Sequence, residues 1–349
     1  MAGRSKKSRL PVIDLQDEPM SLSVTQDAIT KRLAFSHVPE RLLPRLFEAF
    51  GQRAVDAALT PDEVAAKYWR DLPLTTRSKV RHRELFESGE LRSRVKALQA
   101  QGKTGKTGRY FMAAVSRADE AILGRSGGIY FVCYKGCHFC HYRDFPDEPI
   151  DAVGLAARML ALEKAGADNV QFLSPTAYTP MIVEALLLAD EEGFKLPIVH
   201  KSEGEDASQD LALLDGIVDM YLPDAKFILQ ENAENIGLPP NYAKRMQACI
   251  REMVRQVGPL TRRAGPIALQ GGGVFVRHLL MPGLVEDAKA VLEFVASIDR
   301  DQPMRLMTNY EPMHDAAEHP IISRRISPEE VREVAEHAKA LKLTRVLVG

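Results

Sequence analysis

From residue 127 onward, short apolar runs and amphipathic helical stretches take turns along the chain, and this alternation limits the fold more than any other feature. The runs fall at Gly128–Val132, Val170–Leu173, Pro197–His200, Val218–Leu222, Val274–Met281 and Arg305–Thr308. Helical patterns lie between and after them, near 151–165, 179–192, 240–257, 284–298 and 328–342. Strands that alternate with helices in this way pair in parallel, each helix carrying the chain back over the sheet. Six such strands fit a doubly wound sheet or an open barrel, and in both the chemistry gathers at the C-terminal strand ends. The residues expected there are polar or glycine-rich: Cys133, Ser174-Pro175-Thr176, Ser202-Glu203-Gly204, Asp224-Ala225-Lys226, Arg277-His278 and Asn309.

The remainder of the 349 residues leaves room for an appendage. Residues 24–100 read as mostly helical, with apolar residues at helical spacing over Leu42–Phe50 and a helix start at Thr60, capped by its hydroxyl and followed by Pro61. The stretch 101–108, Gln-Gly-Lys-Thr-Gly-Lys-Thr-Gly, has linker composition and lacks the spacing of a phosphate-binding loop. Residues 1–20 are expected to be a disordered basic tail without the apolar core of a secretory signal. No run approaches the roughly 18 apolar residues of a membrane span.

Residues 1–109 hold 21 basic against 13 acidic side chains, and 110–349 hold 25 against 34, which the net charge of -1 hides. The basic excess gathers in 67–109 around Arg77, Lys79, Arg81, Arg83, Arg92, Arg94 and Lys96. No aromatic residues interleave it as on a nucleic-acid platform, so nucleic acid is not an expected partner. A helix face docked on an acidic neighbour is the plainer reading.

Three of the four cysteines, Cys133, Cys137 and Cys140, stand within eight residues, and the fourth, Cys249, is more than a hundred residues away. This usage fits a reducing compartment, so a cytoplasmic location is expected. Soft thiolates select zinc or iron–sulfur centres. A structural zinc site wants four protein ligands, which His138 or His141 would have to complete. The second half of a usual zinc module is absent, and His138 lies between two ligands of the same tight loop. A four-iron cluster held by three thiolates, with one iron open, suits the CxxxCxxC spacing better. The zinc reading, a zinc-stabilised nucleic-acid-binding module, is the rival from another class. Cys249, inside an apolar helical pattern, is expected to be inert core packing.

CxxxCxxC at the end of the first strand of a β/α series, with Phe139 before the last cysteine, resembles the radical SAM superfamily. More narrowly, the chain resembles uncharacterised homologues of pyruvate formate-lyase activating enzyme. The likeness runs over roughly 116–342 and includes Asn169–Thr176 (NxxFxxPT-like), Asp224-Ala225-Lys226 (DxK) and Arg277–Gly283 (RHxxxPG). It implies a partial (β/α)6 TIM-like barrel over 116–349, with residues 21–110 as an N-terminal helical appendage. It also implies a [4Fe-4S] cluster on Cys133, Cys137 and Cys140. S-adenosylmethionine would chelate the open iron, and its reductive cleavage would yield a 5′-deoxyadenosyl radical that abstracts hydrogen. Asp224 and Lys226 would lie beside the S-adenosylmethionine, Lys226 near its carboxylate and His278 near its adenosyl part.

The chain departs from the family where Ser174-Pro175-Thr176-Ala177 replaces the Gly-Gly-Glu that grips the methionyl amine. Proline removes a backbone donor there, so the hydroxyls of Ser174 and Thr176 are the expected substitutes. Lys201-Ser202-Glu203-Gly204 stands where the activating enzymes have a cation-binding run, which makes Ser202 a further contact and lets the Lys201 ammonium occupy the cation's place. Expected partners are an external electron donor and either a glycyl radical enzyme or another protein, peptide or small-molecule substrate; no membrane is expected.

Overall fold

The computed structural model describes residues 84–114, 123, 126–133, 136–143, 146–258 and 272–349. The basic tail, the helix expected at Thr60, the basic excess up to Arg83 and the rest of the appendage before residue 84 lie outside the described residues. Among the described residues, no helix is long and apolar enough to cross a membrane.

Helix α1 (Glu90–Ala100) leads into strands β1 (Gly108–Ala114), β2 (Ser126–Phe131) and β3 (Glu148–Ile150). Then come α2 (Ala152–Lys164), β4 (Asn169–Leu173), α3 (Thr179–Glu191), β5 (Ile198–Lys201), α4 (Ser208–Leu214), β6 (Met220–Tyr221), α5 (Gln230–Asn235) and α6 (Tyr242–Val257). The chain finishes through β7 (Gly273–Val274), β8 (Val276–Leu279), α7 (Val285–Ile298), β9 (Met304–Met307), α8 (Pro328–Ala340) and β10 (Val346–Val348).

One sheet runs β3-β1-β2-β4-β5-β6-β7 and a second runs β10-β9-β8. Every pairing from β2 to β10 is parallel, whereas β1 is antiparallel to both β2 and β3. Phe275 alone separates β7 from β8, and the ladder continues past it. The Phe275 N–H donates to Tyr221 O at 2.9 Å, the Arg277 N–H to Pro223 O at 2.9 Å, and the Ala225 N–H to Arg277 O at 2.8 Å. The two sheets therefore form one curved run, and no pairing among the described residues joins β3 to β10. The fold is a mixed α/β architecture on an open parallel sheet. Each of the six expected strands is present. A seventh, β10, was not expected, because Val346–Val348 is too short to show a period and is only partly covered.

Helix α1 buries Leu91, Val95 and Leu98, and it packs on α3. Leu91, Val95, Leu98 and Tyr110, inside the stretch 21–110 expected as an appendage, thus share the core of the sheet. That second covering layer explains why α3 is apolar on most of its surface. Helix α6 shows the opposite pattern, burying Tyr242, Met246, Cys249, Ile250 and Met253 along one stripe. Its Cys249 is buried as expected, with its S–H donating to Asp206 Oδ2 at 3.6 Å.

The sheet has two distinct faces. Phe131 and Phe172 face the helices, with Phe131 stacked on Tyr178 at 4.6 Å between ring centroids. A Cβ at Gly127 would stand 2.5 Å from Leu162, so α2 packs directly on the β2 backbone. The concave face carries two small clusters: Phe111, Tyr130 and Leu173; and Leu123, Val199, Met220, Leu222 and Phe275.

Candidate active site

The cysteines follow β2, where the Val132 N–H still pairs with Arg109 O at 3.0 Å. All three are free of disulfides, with Cys137 buried and Cys133 and Cys140 half-buried. The Cys140 N–H donates to Cys137 O at 3.2 Å, which closes the turn. Distant parts of the chain pin the loop. The His138 N–H donates to Ile236 O at 3.3 Å, and the Ala316 N–H donates to His138 O at 3.2 Å. The Arg143 guanidinium bridges Cys137 O at 3.1 Å and Asp315 at 3.0 Å. Gly237 has φ +82°, and a Cβ there would stand 2.8 Å from Gly136 O.

Past β4 the chain turns through Ser174 at φ 53°, a left-handed conformation costing a β-carbon residue about 1–2 kcal/mol. The Ser174 N–H reaches Lys201 O at 3.1 Å, and the Thr176 hydroxyl donates to Glu203 Oε2 at 2.9 Å. Ser202 is buried and accepts from the Gly204 N–H at 3.0 Å, so its oxygen is engaged within its own loop. Below that loop His200 and Asp206 form a fully buried pair at 3.0 Å. Burial alone would raise the Asp206 pKa, but His200, then Ser202 and Thr176, hold it below the ordinary carboxylate value.

Asp224 and Lys226 close the mouth, with Lys226 Nζ 2.9 Å from Asp224 Oδ2 and Arg277 Nε 3.8 Å from Asp224 Oδ1. Burial works against the Lys226 charge. Asp224, Tyr242, Cys137 and Glu203 together outweigh it, and the ammonium's pKa stands well above the usual lysine value. Cys137, after β2, is thus among the groups that act on the cation after β6. The Tyr242 hydroxyl knits the loops together: it accepts from the Lys226 N–H at 3.1 Å and lies 3.2 Å from both Glu203 O and Asp224 O. A Cβ at Gly204, φ +78°, would stand 2.3 Å from Asp224 O, so the two loops touch backbone to backbone.

The structure thus gathers Cys137, Thr176, Asp224 and Lys226 at one end of the sheet with Glu203 and Arg277, both read from the sequence as strand-end residues, and adds Tyr242, which the sequence did not single out. His278 alternates with Arg277 along β8. It is buried, and its Nδ1 stands 2.7 Å from Ala225 O. Burial pushes its pKa down to about 4, against the pull of that carbonyl and of Asp224. The ring is neutral, with Nδ1–H facing the carbonyl. Among the described residues, no group of three His, Cys, Asp or Glu side chains is poised to hold a metal ion. The fit of a cluster therefore rests on donor chemistry: three soft thiols on one loop, none in a disulfide, with Cys137 near the Lys226 cation.

No family model matches the chain. Over 239 residues it is 24% identical to an uncharacterized protein of Methanocaldococcus jannaschii, a match covering 64% of this chain and 65% of that protein. A solved domain of pyruvate-formate lyase-activating enzyme from Bacteroides vulgatus is similar at 15% identity and a TM-score of 0.39, covering 52% of this chain and 99% of that one. Streptococcus suis SuiB, solved bound to S-adenosylmethionine, is similar at 12% identity and a TM-score of 0.45, covering 88% of this chain and 65% of that one.

Proposed function

We propose that this chain is a radical SAM enzyme of the cytoplasm. The observation that carries the reading is the placement of Lys226, held by Asp224 at 2.9 Å and within electrostatic reach of Cys137. Cys133, Cys137 and Cys140 would hold the [4Fe-4S] cluster, and Lys226 with Arg277 offers donors to the carboxylate of S-adenosylmethionine. Charge-assisted donors fixed in advance orient a sulfonium at little further entropic cost. Glu203 and the Thr176 hydroxyl oxygen offer acceptors to the methionyl ammonium in the loop where Pro175 removes a backbone donor. Ser174 shapes that turn through its left-handed backbone, and Ser202 holds the next loop. His278 acts through Ala225, keeping Asp224 and Lys226 in register beneath the adenosyl part. When bound, the cluster supplies the electron that cleaves the sulfonium and starts hydrogen abstraction from substrate. An external donor provides that electron. Among protein, peptide and small-molecule substrates, a glycyl radical enzyme is the one the motif resemblance favours.

Oxygen-free protein reconstituted with iron and sulfide should be brown, bleach with dithionite and release 5′-deoxyadenosine from S-adenosylmethionine. Cys137→Ala should lose both colour and cleavage. A colourless protein carrying one zinc would overturn the reading.

A further inference from the structure

Gln171, in the middle of β4, is wholly buried at 0% exposure. Neither its Oε1 nor its Nε2 meets a hydrogen-bond partner among the described residues. A buried polar group left in that state costs about 1–3 kcal/mol. Leucine or methionine would fill the same volume without that cost, so the amide calls for a function.

Its position indicates what it serves. Val170 and Phe172 on either side belong to the core beneath the helices, so alternation turns Gln171 to the concave face. Gly128 and Val199 flank it there on the neighbouring strands, followed by Met220 and Gly273 in the same layer. The two glycines bring no side chain to that layer. Below, the Asn169 amide donates to Leu123 O at 2.7 Å, and Leu123 packs on Val199 and Met220 to close the floor. Above stand Tyr130 and Leu173, with Phe111 stacked on Tyr130 at 4.9 Å. Two residues beyond Leu173 and Tyr130 the chain has passed into the Ser174 turn and the cysteine approach.

We infer that Gln171 is a specificity-determining residue that reads a neutral amide edge of the substrate, one N–H and one C=O side by side, in the interior below the site proposed above. A carboxamide presents one acceptor and a donor pair on a single edge, and a partner with the reverse pair satisfies both. A charged group would be stranded among Leu123, Val199 and Met220, and a lone hydroxyl would leave one end unmet. Two sources carry this chemistry: one residue of an extended peptide, or a small lactam. The inference rests on the radical SAM reading only for the chemistry performed above the pocket.

The test is thermal melting of the full chain with two probes, N-acetylglycine N-methylamide and 2-pyrrolidinone, neither of which requires turnover. One probe should raise the melting temperature of the wild type, and which one does so identifies the source. Gln171→Met should melt at or above the wild type, keep its S-adenosylmethionine affinity and bind that probe roughly tenfold more weakly. Gln171→Leu, which removes both ends of the amide, should lose the probe as well. Protection by neither probe, equal protection of all three proteins, or a Gln171→Met chain that melts far lower or does not fold would overturn the inference. Failure of the wild type to form 5′-deoxyadenosine would instead strike the reading of the upper site, because probe binding is measured without it.

Discussion

Tyr242 shows how one hydroxyl can hold a site that no sequence motif announces. It meets Lys226 N–H, Glu203 O and Asp224 O, and its ring is fully buried. Tyr242→Phe leaves those groups short of a partner, which costs about 1–3 kcal/mol. The variant should unfold at lower denaturant and bind S-adenosylmethionine several-fold more weakly, while its iron content stays unchanged. Gly204→Ala should act more severely. The added carbon would overlap Asp224 O at 2.3 Å in a backbone at φ +78°, so the Asp224–Lys226 pair must shift and cleavage should fall with it. Activity and a melting curve equal to wild type in Gly204→Ala would show that the two loops do not depend on this contact. The cysteines stood out in the sequence by their spacing, and Asp224 and Lys226 by the family resemblance of their run. Tyr242 did not, because residues far apart in sequence meet only once the helices have carried the strands side by side.

At the scale of elements, strand ends and helix starts read well because both rest on local chemistry. Helix α2 begins at Asp151, whose carboxylate accepts from the Gly154 N–H at 2.8 Å, and α8 opens with a reciprocal pair between Ser327 and Glu330. Strands β1 and β3 were missed because an antiparallel extension at the sheet's edge follows from no helix–strand alternation. Helix α3 carries a less visible liability at its end. Asp190 is buried with neither oxygen bonded among the described residues, and burial, with Glu163 adding to it, pushes its pKa up to about 8. A carboxyl raised in the folded state costs stability as it ionises. Its contribution is therefore most favourable below the unfolded value of 3.8 and is lost as pH rises towards about 8. Asp190→Asn should match the wild type near pH 4 and exceed it by a few kcal/mol above pH 8. Denaturant unfolding of both proteins across that range checks it, and parallel pH profiles would show that Asp190 is not ionising in the fold.

For the whole molecule, the stretch before β2 bears most on how the chain can be divided. The stretch 101–108 has the residues of a linker, yet it is the tight connection from α1 to β1, with Gly102 and Gly105 at φ 64° and 66°. Glycine serves a sharp turn and a loose tether equally well, so composition cannot separate them. The difference decides how the first part of the chain can be studied. A cut after residue 110 removes Leu91, Val95, Leu98 and Tyr110, exposed by 0%, 4%, 1% and 2%. Each is worth about 1.5–3 kcal/mol of burial, against a net stability of roughly 5–15 kcal/mol for a whole domain. The same cut removes Gly108, Arg109 and Tyr110, the part of β1 that pairs with β3, and opens a strand edge to pairing with other chains. A protein lacking 1–110 should therefore aggregate, or melt without a cooperative transition and with a dye-accessible core. Loss of substrate modification in it would report unfolding and not recognition. A cut after residue 83 keeps every described element and is the informative truncation. A soluble 111–349 fragment with the melting curve of the full chain would show that α1 is an appendage after all.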